Sequence, residues 1–247
     1  MNAMSRTRAA FIHFALSGSV VLVVFALFWF VWYPNPMAQA LGGLPIIATL
    51  FGIDVVLGPL LTFIVFDSRK KSLKFDLVAI AVVQVLALSY GVHTLFASRP
   101  AFVAAIGDKF DIVPANEISD SDIVAAKSSL PFLGPRWVGT VVPSAASEKE
   151  RVEFSSLLGL GRGHFPQYHQ PLANMRDEIL KNASPVSSLA KFNPGKDADI
   201  QRWLADHGRT IDNTVFQGLK ARAEDMAVIM DAKTAEVIGI APFKPWD

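Results

Sequence analysis

Three long apolar runs near the start of the chain limit its possible folds more than any other feature. Phe11 to Tyr33 contains no charged side chain and is rich in Val, Leu, Phe and Trp. At 1.5 Å per residue a helix of that length covers a hydrocarbon core about 30 Å thick. Leu44 to Phe66 is a second such run, broken only by Asp54, and Leu77 to Phe96 is a third, carrying Gln84 and His93 but no formal charge. The expectation is a membrane protein with an N-terminal three-helix transmembrane bundle (spans 11–33, 44–66 and 77–96) after a short N-terminus, 1–10. The remainder has a different composition. The first 96 residues hold 9 charged side chains, and the rest of the 247-residue chain holds 36, as an ordinary folded domain does. Residues 97–247 are therefore read as a separate domain.

A cleaved signal peptide is the competing reading of the first run, because Arg6 and Arg8 precede it and Ala38-Gln39-Ala40 has the form of a cleavage motif. The apolar core of a signal peptide is typically about 7–15 residues, so this run is too long, and two more spans follow it. An uncleaved anchor is expected. Arg6 and Arg8 lie before the first span, the Pro34 to Gly43 connection is uncharged, and the second connection carries Arg69, Lys70, Lys71 and Lys74. The excess of Lys and Arg places the N-terminus and the second connection in the cytoplasm, and an odd number of spans then exports the domain. In a bacterium this is an inner-membrane protein with a periplasmic C-terminal domain. Trp29, Trp32 and Tyr33 are expected at the interface, where amphipathic rings settle.

Asp54 sits midway along its span, where a carboxylate costs roughly 2.5–3.5 kcal/mol on insertion scales and so should face the bundle. Gln84 and Ser17 or Ser19 lie at comparable depth and are candidate partners. Polar packing is the simpler role, because an ion path needs several ionisable groups in series. Gly58-Pro59 should interrupt the second helix, since proline lacks an N–H and its ring meets the carbonyl four residues back. Gln84, Ala87 and Gly91 form a small and polar stripe suited to close helix contact.

In the exported part, strand-like runs occur at Ala101–Ile106, Phe110–Val113, Trp137–Val142, Thr214–Leu219, Met226–Met230 and Glu236–Ile240, with Asp231 to Ala235 as a hairpin turn. Helical signals lie at Ser119–Ala126, Ala173–Lys181 and Asp197–Asp206, and Ser147 with Glu150 has the form of a capping box opening Glu148–Leu158. The expectation is an α+β domain with a mainly antiparallel sheet.

Several chemistries are excluded by pattern. There is no cysteine, so thiol catalysis, disulfides and cysteine-held metals are out, and a net charge of +1 gives no footprint for nucleic acid. Gly159 to Gly163 follows a helix signal and lacks the ending of a phosphate loop, so it reads as a flexible loop. His164 and His169 are five apart with proline between them and no Glu, unlike a zinc-protease pair. No nucleophile or paired carboxylate has catalytic spacing. The chain is expected to be non-enzymatic, with no cofactor and no metal.

The motifs of the first half are specific in combination. Trp32-Tyr33-Pro34, Gly52 through Thr62 (Gly-Ile-Asp-Val-Val-Leu-Gly-Pro-Leu-Leu-Thr), Lys74-Phe75-Asp76-Leu77, Gln84 with Tyr90-Gly91, and Arg99-Pro100 together resemble the type IV pilin accessory proteins of the TfpX/TfpZ kind. The similarity runs through Ala115-Asn116-Glu117 and re-emerges at Val228–Ile240 and Pro245-Trp246, whereas Ser144 to Lys191 departs from the pattern. The resemblance implies a protein that assists assembly of a cognate type IV major pilin at the inner membrane, in contact with pilin and with the pilus assembly machinery, with no catalytic residue. Candidate packing or partner contacts are Asp54, Gly58, Pro59, Gln84 and Gly91. The alternative is a membrane-anchored periplasmic ligand-binding or sensor subunit.

Overall fold

The computed structural model describes residues 4–247, which form two compact units. One comprises the chain up to Val31 together with Gly43–Ala97; the other comprises Trp32–Gly42 and Ser98–Asp247.

The first unit is built from three helices long and apolar enough to cross a membrane: α1 (Arg6–Trp32), α2 (Leu44–Val65) and α3 (Leu73–Ala97). Ser5 caps α1, its side chain accepting from the Arg8 N–H. α2 packs against both α1 and α3. Few side chains are enclosed, among them Val21, Val24, Ile47, Leu50 and Val55, while Phe11, Leu16, Phe75 and Leu86 point outward and are more than half exposed. Helices apolar all round with so little mutual cover belong in lipid or inside a larger core.

The interruption expected at Gly58-Pro59 takes the form of a π-helical turn just before it, Gly52–Leu57, after which α-helix resumes at Gly58–Val65. The wider register suits proline, because the ring's missing N–H and its bulk are absorbed by one extra residue in the turn. A second π-helical stretch, Leu27–Trp32, ends α1.

The second unit is an α+β domain on one mixed sheet. Its strands are β1 (Pro100–Ala105), β2 (Lys109–Pro114), β3 (Arg136–Thr140), β4 (His169–Gln170), β5 (Ser184–Pro185), β6 (Thr214–Lys220), β7 (Met226–Asp231) and β8 (Val237–Ala241). The order is β4-β3-β1-β2-β6-β7-β8, with β5 on β6. Most pairings are antiparallel, and the last three strands form the meander read from the sequence. Two parallel pairings were not foreseen, β1 with β3 and β2 with β6. β1 is buried along its whole length, as its run of apolar residues requires of a central strand.

Both faces of the sheet are covered. Met226, Val228 and Met230 of β7 join Val103, Phe110, Ile179 and Leu219 in one core, and the alternating Ala227 and Ile229 join Leu189, Ile200, Leu204 and Phe216 in the other. Met37 and Ala40, from the connection between α1 and α2, belong to the first of these cores. The Ala40 carbonyl accepts from the N–H groups of Ala223 (2.9 Å) and Glu224 (3.3 Å), and the Gln39 amide donates to the Glu224 carboxylate at 2.7 Å. This connection is thus an integral part of the C-terminal unit. Trp32 and Tyr33, expected at the membrane interface, are buried in protein.

Two local readings are also corrected. The helix expected from Ser147 begins at Ala146 with Ala145 as N-cap, and Ser147 makes no cap, so the expected box sits two residues too far along. The glycine segment is not a free loop over its whole length. Arg162–His164 forms a 3-10 turn whose Gly163 and His164 are buried.

Candidate functional site

In the helical unit, the sequence-selected residues converge. Asp54, on the π-helical turn of α2, is only 4% exposed. The Gly58 N–H goes to the Ile53 carbonyl, one residue further back than α-helical register, and Pro59 has no N–H to give. The carbonyl of Asp54 is left to a side chain, and Gln84 of α3 supplies it, donating from its amide at 3.2 Å and lying 3.4 Å from the Asp54 Oδ1. Gly58 makes room for this, since a Cβ there would strike the Gln84 amide. Gly91 does the same one level along, where a Cβ would strike Leu50 of α2. The Gln84–Gly91 stripe is therefore occupied by the chain's own second helix.

Ser17 and Ser19 are not partners of Asp54. Their hydroxyls donate within α1, to the carbonyls of His13 (3.0 Å) and Ala15 (2.7 Å). Sequence reasoning missed a second cross-helix contact, His13 Nδ1 with Thr62 Oγ1 at 2.6 Å, for which a lone histidine in an apolar run was the available signal. Asp54, Gln84 and His13 line a groove of about 280 Å³ between α1 and α3 whose remaining walls are mainly apolar.

The basic residues lie at one end of these helices. Arg6 is 3.9 Å from Asp67, Arg69 pairs with Asp67 at 3.3 Å, and Lys70 reaches Asp76 at 2.5 Å. Arg8, Lys71 and Lys74 are exposed. The N-terminus of α1 and the α2–α3 connection are thus joined through Asp67.

The C-terminal unit holds a cleft of about 820 Å³, between the start of β2, the end of the Ala146–Leu157 helix and the Gly159–Arg162 segment. Lys109, Lys149, Arg162, Lys220 and Arg222 border it, with Asp111, Glu117 and Glu153. Asp111 is 8% exposed and its Oδ1 has no hydrogen-bond partner among the described residues; burial raises its pKa above the ordinary carboxylate value, against the pull of Lys109 and His164. Burial also lowers the pKa of His164, whose Nδ1 lies 3.1 Å from the Gly161 carbonyl and Nε2 3.0 Å from Glu117. Arg222 pairs with the other oxygen of Glu117. A buried acid and a buried imidazole, each biased toward its neutral form, thus share one cleft with five cationic side chains. His164 and His169 do not face a common centre: His169 turns to the Gly163 carbonyl at 2.8 Å and packs edge-on against Phe102.

Comparison with known proteins gives consistent relatives. A family model described as "Fimbrial assembly protein FimB" matches residues 1–42. The chain is 27% identical to the fimbrial assembly protein of Dichelobacter nodosus serogroup I over 227 residues, covering 89% of this chain and 88% of that protein. The serogroup E1 protein of the same organism matches at the same identity and coverage. The protein of serogroups C1 and C2 is 36% identical over 109 residues, 43% of this chain and 83% of its own length. No solved structure matches. On these similarities the chain belongs to the fimbrial assembly protein family, the type IV pilus assembly-related kind that the motifs of its first half resemble.

Proposed function

We infer that this chain is a non-catalytic accessory protein of type IV pilus assembly, held in the bacterial inner membrane by α1, α2 and α3 and working on its cognate pilin. The observation that carries this reading is that likeness to the Dichelobacter nodosus assembly proteins extends over both units, 89% of the chain. Their role is therefore assigned to the whole molecule and not to its helices alone.

The outward apolar faces of the three helices support immersion in lipid, which removes surface that water would penalise. The grouping of Arg6, Arg8, Arg69, Lys70, Lys71 and Lys74 supports a cytoplasmic position for that end. The α1–α2 connection is built into the C-terminal unit, which supports placing that unit across the bilayer, in the periplasm, by way of the connection's own side. A pilin waiting in the membrane offers a long apolar helix and an exported head. Exposed Phe154, Leu157 and Leu158, on one face near the end of the Ala146–Leu157 helix, are suited to meet such a head.

Deletion of the gene tests the reading. Surface pili and twitching should fall while pilin synthesis stays intact, and a deletion strain that assembled and retracted normal numbers of fibres would remove it. The Asp111 cleft favours a second reading, a periplasmic ligand-binding subunit. A thermal-shift screen of anionic and zwitterionic metabolites against the purified chain tests that, with a ligand-dependent rise abolished by Asp111→Ala expected.

A further inference from the structure

We propose that the cleft between β2 and the Ala146–Leu157 helix seats an acidic peptide segment of a partner, the exported head of the cognate pilin. Lys149, Val152, Glu153 and Ser156 recur at i, i+3, i+4 and i+7 and turn one helix face to the cleft. Lys109 and Asp111, two apart on β2, line it from the sheet. Exposed Val142 and Leu158 add apolar anchors at about 820 Å³ of open space.

Charge decides the occupant. Two of the five cations are already answered within the protein, Lys220 by Asp225 at 2.9 Å and Arg222 by Glu117. Lys109, Lys149 and Arg162 form no ion pair among the described residues, and the bond from Arg162 to the Ile106 carbonyl fixes its side chain without cancelling its charge. Only Glu153 and Asp111 oppose these three, and burial disposes Asp111 toward its neutral form. An excess of positive charge remains. Asp111 is more than nine-tenths buried, its Oδ1 has no hydrogen-bond partner among the described residues, and Gly161 leaves room beside its Oδ2, where a Cβ would approach to 3.1 Å. A bare anion answers the cations but brings no donor to this carboxyl. An acidic peptide brings both, with carboxylates for Lys109, Lys149 and Arg162, backbone N–H groups for Asp111, and apolar side chains for Val142 and Leu158.

The choice of partner rests on the pilin reading above, and the experiment separates the two. Overlapping synthetic peptides covering the pilin head, and free glutamate as a small anion, are titrated against the purified full-length chain. In parallel, a photo-crosslinking amino acid is placed at Ser156 in the cleft and at exposed Gln201 outside it, in native membranes, and pilin co-purification is measured. An acidic pilin peptide should bind. Lys149→Glu, at an exposed position, should weaken it about fivefold or more at an unchanged unfolding temperature, and Glu153→Gln should tighten it about twofold. Pilin adducts should form at Ser156 and not at Gln201. Binding of neutral or basic peptides alone, of free glutamate alone, or of acidic peptides unaffected by Lys149→Glu overturns the proposal. An adduct at Ser156 with an acidic segment of another identified protein supports the cleft and overturns the pilin reading. Pilin that co-purifies with neither peptide binding nor Ser156 adducts overturns the cleft and leaves the pilin reading standing.

Discussion

Gln84 hydrogen-bonds to the main chain of Asp54, the residue on α2 whose carbonyl the Gly58-Pro59 pair leaves without a backbone donor. The polar side chain on α3 is thus explained by the proline on α2, and the link can be tested by restoring the missing donor. Gln84→Leu should lower membrane protein level and thermal stability by about 0.6–1.7 kcal/mol, the range of interhelical hydrogen bonds in membranes. Pro59→Ala returns an N–H to the turn, so the cost of Gln84→Leu should shrink in the Pro59→Ala background. Equal costs in both backgrounds, measured by thermal unfolding in detergent, would separate the two residues.

At Asp54 itself, an amide replaces a carboxylate with little loss of packing. Asp54→Asn should largely keep pilus assembly, whereas Asp54→Leu should reduce protein level or pilus counts in part. An Asn variant as defective as the Leu variant, at normal protein level, would replace the packing role with one that needs the ionisable group.

Topology follows from charge and from the fate of the first connection. Reporter fusions after Phe66 and after Asp247 should report cytoplasm and periplasm respectively. A fusion within the Trp32–Gly42 segment would cut through the core of the C-terminal unit. Met37→Asp places a charge among buried apolar side chains and should destabilise that unit by about 3 kcal/mol or more. Gln39→Ala, at an exposed position, should cost no more than about 1 kcal/mol. Protease resistance of the domain in membrane vesicles distinguishes them.

The parts legible in the sequence were those set by local pattern. Short strand-like runs and turn residues located β6, β7 and β8, and long apolar runs located α1, α2 and α3. Depth along a span was enough to bring Gln84 to Asp54. What escaped depends on contacts between distant segments. Met37 and Ala40 look like an ordinary loop until the strands they pack on are placed. The buried turn at Gly163 and His164 has a loop's composition, and its order comes from packing. Asp111 was unremarkable as a lone carboxylate on an alternating strand, because its isolation arises only when the Gly159–Arg162 segment closes over β2.

Buried histidines give the C-terminal unit a pH dependence of known sign. Burial lowers the pKa of His169, with Arg136 and His164 adding to the effect against the Gly163 hydrogen bond. A histidine whose folded pKa lies below 6.5 is neutral in the native state while the unfolded chain takes up a proton. Stability is therefore full above pH 6.5 and falls as pH drops through the folded pKa, with His164 acting in the same direction. The unfolding temperature should fall between pH 7.5 and 5.5, and His169→Gln should flatten that slope. A slope unchanged in His169→Gln would exclude this residue as its source.

Asp122 ties together three segments far apart in the chain. Ser119 caps the Asp120–Ala126 helix, and the Asp122 carboxylate accepts from Ser119 Oγ (2.5 Å), Arg151 Nη2 (2.8 Å) and Gln167 Nε2 (2.9 Å). Burial alone would raise its pKa, but those three bonds outweigh burial and hold it below the ordinary value. Its contribution is present at neutral pH and is lost as pH falls below 3.8 toward the folded value. Asp122→Ala removes the acceptor shared by Arg151, whose side chain is 43% exposed, and half-buried Gln167, and should cost about 1.5 kcal/mol, the low end for hydrogen bonds to charged groups. Asp122→Asn should recover part of this, because the amide oxygen still accepts from Arg151 or Gln167. Because Arg151 lies on the Ala146–Leu157 helix itself, the Ala variant should also loosen the segment presenting Phe154, Leu157 and Leu158, seen as faster amide exchange there than in β7. Exchange rising equally in β7 would mean global destabilisation and would end the argument for a local clamp.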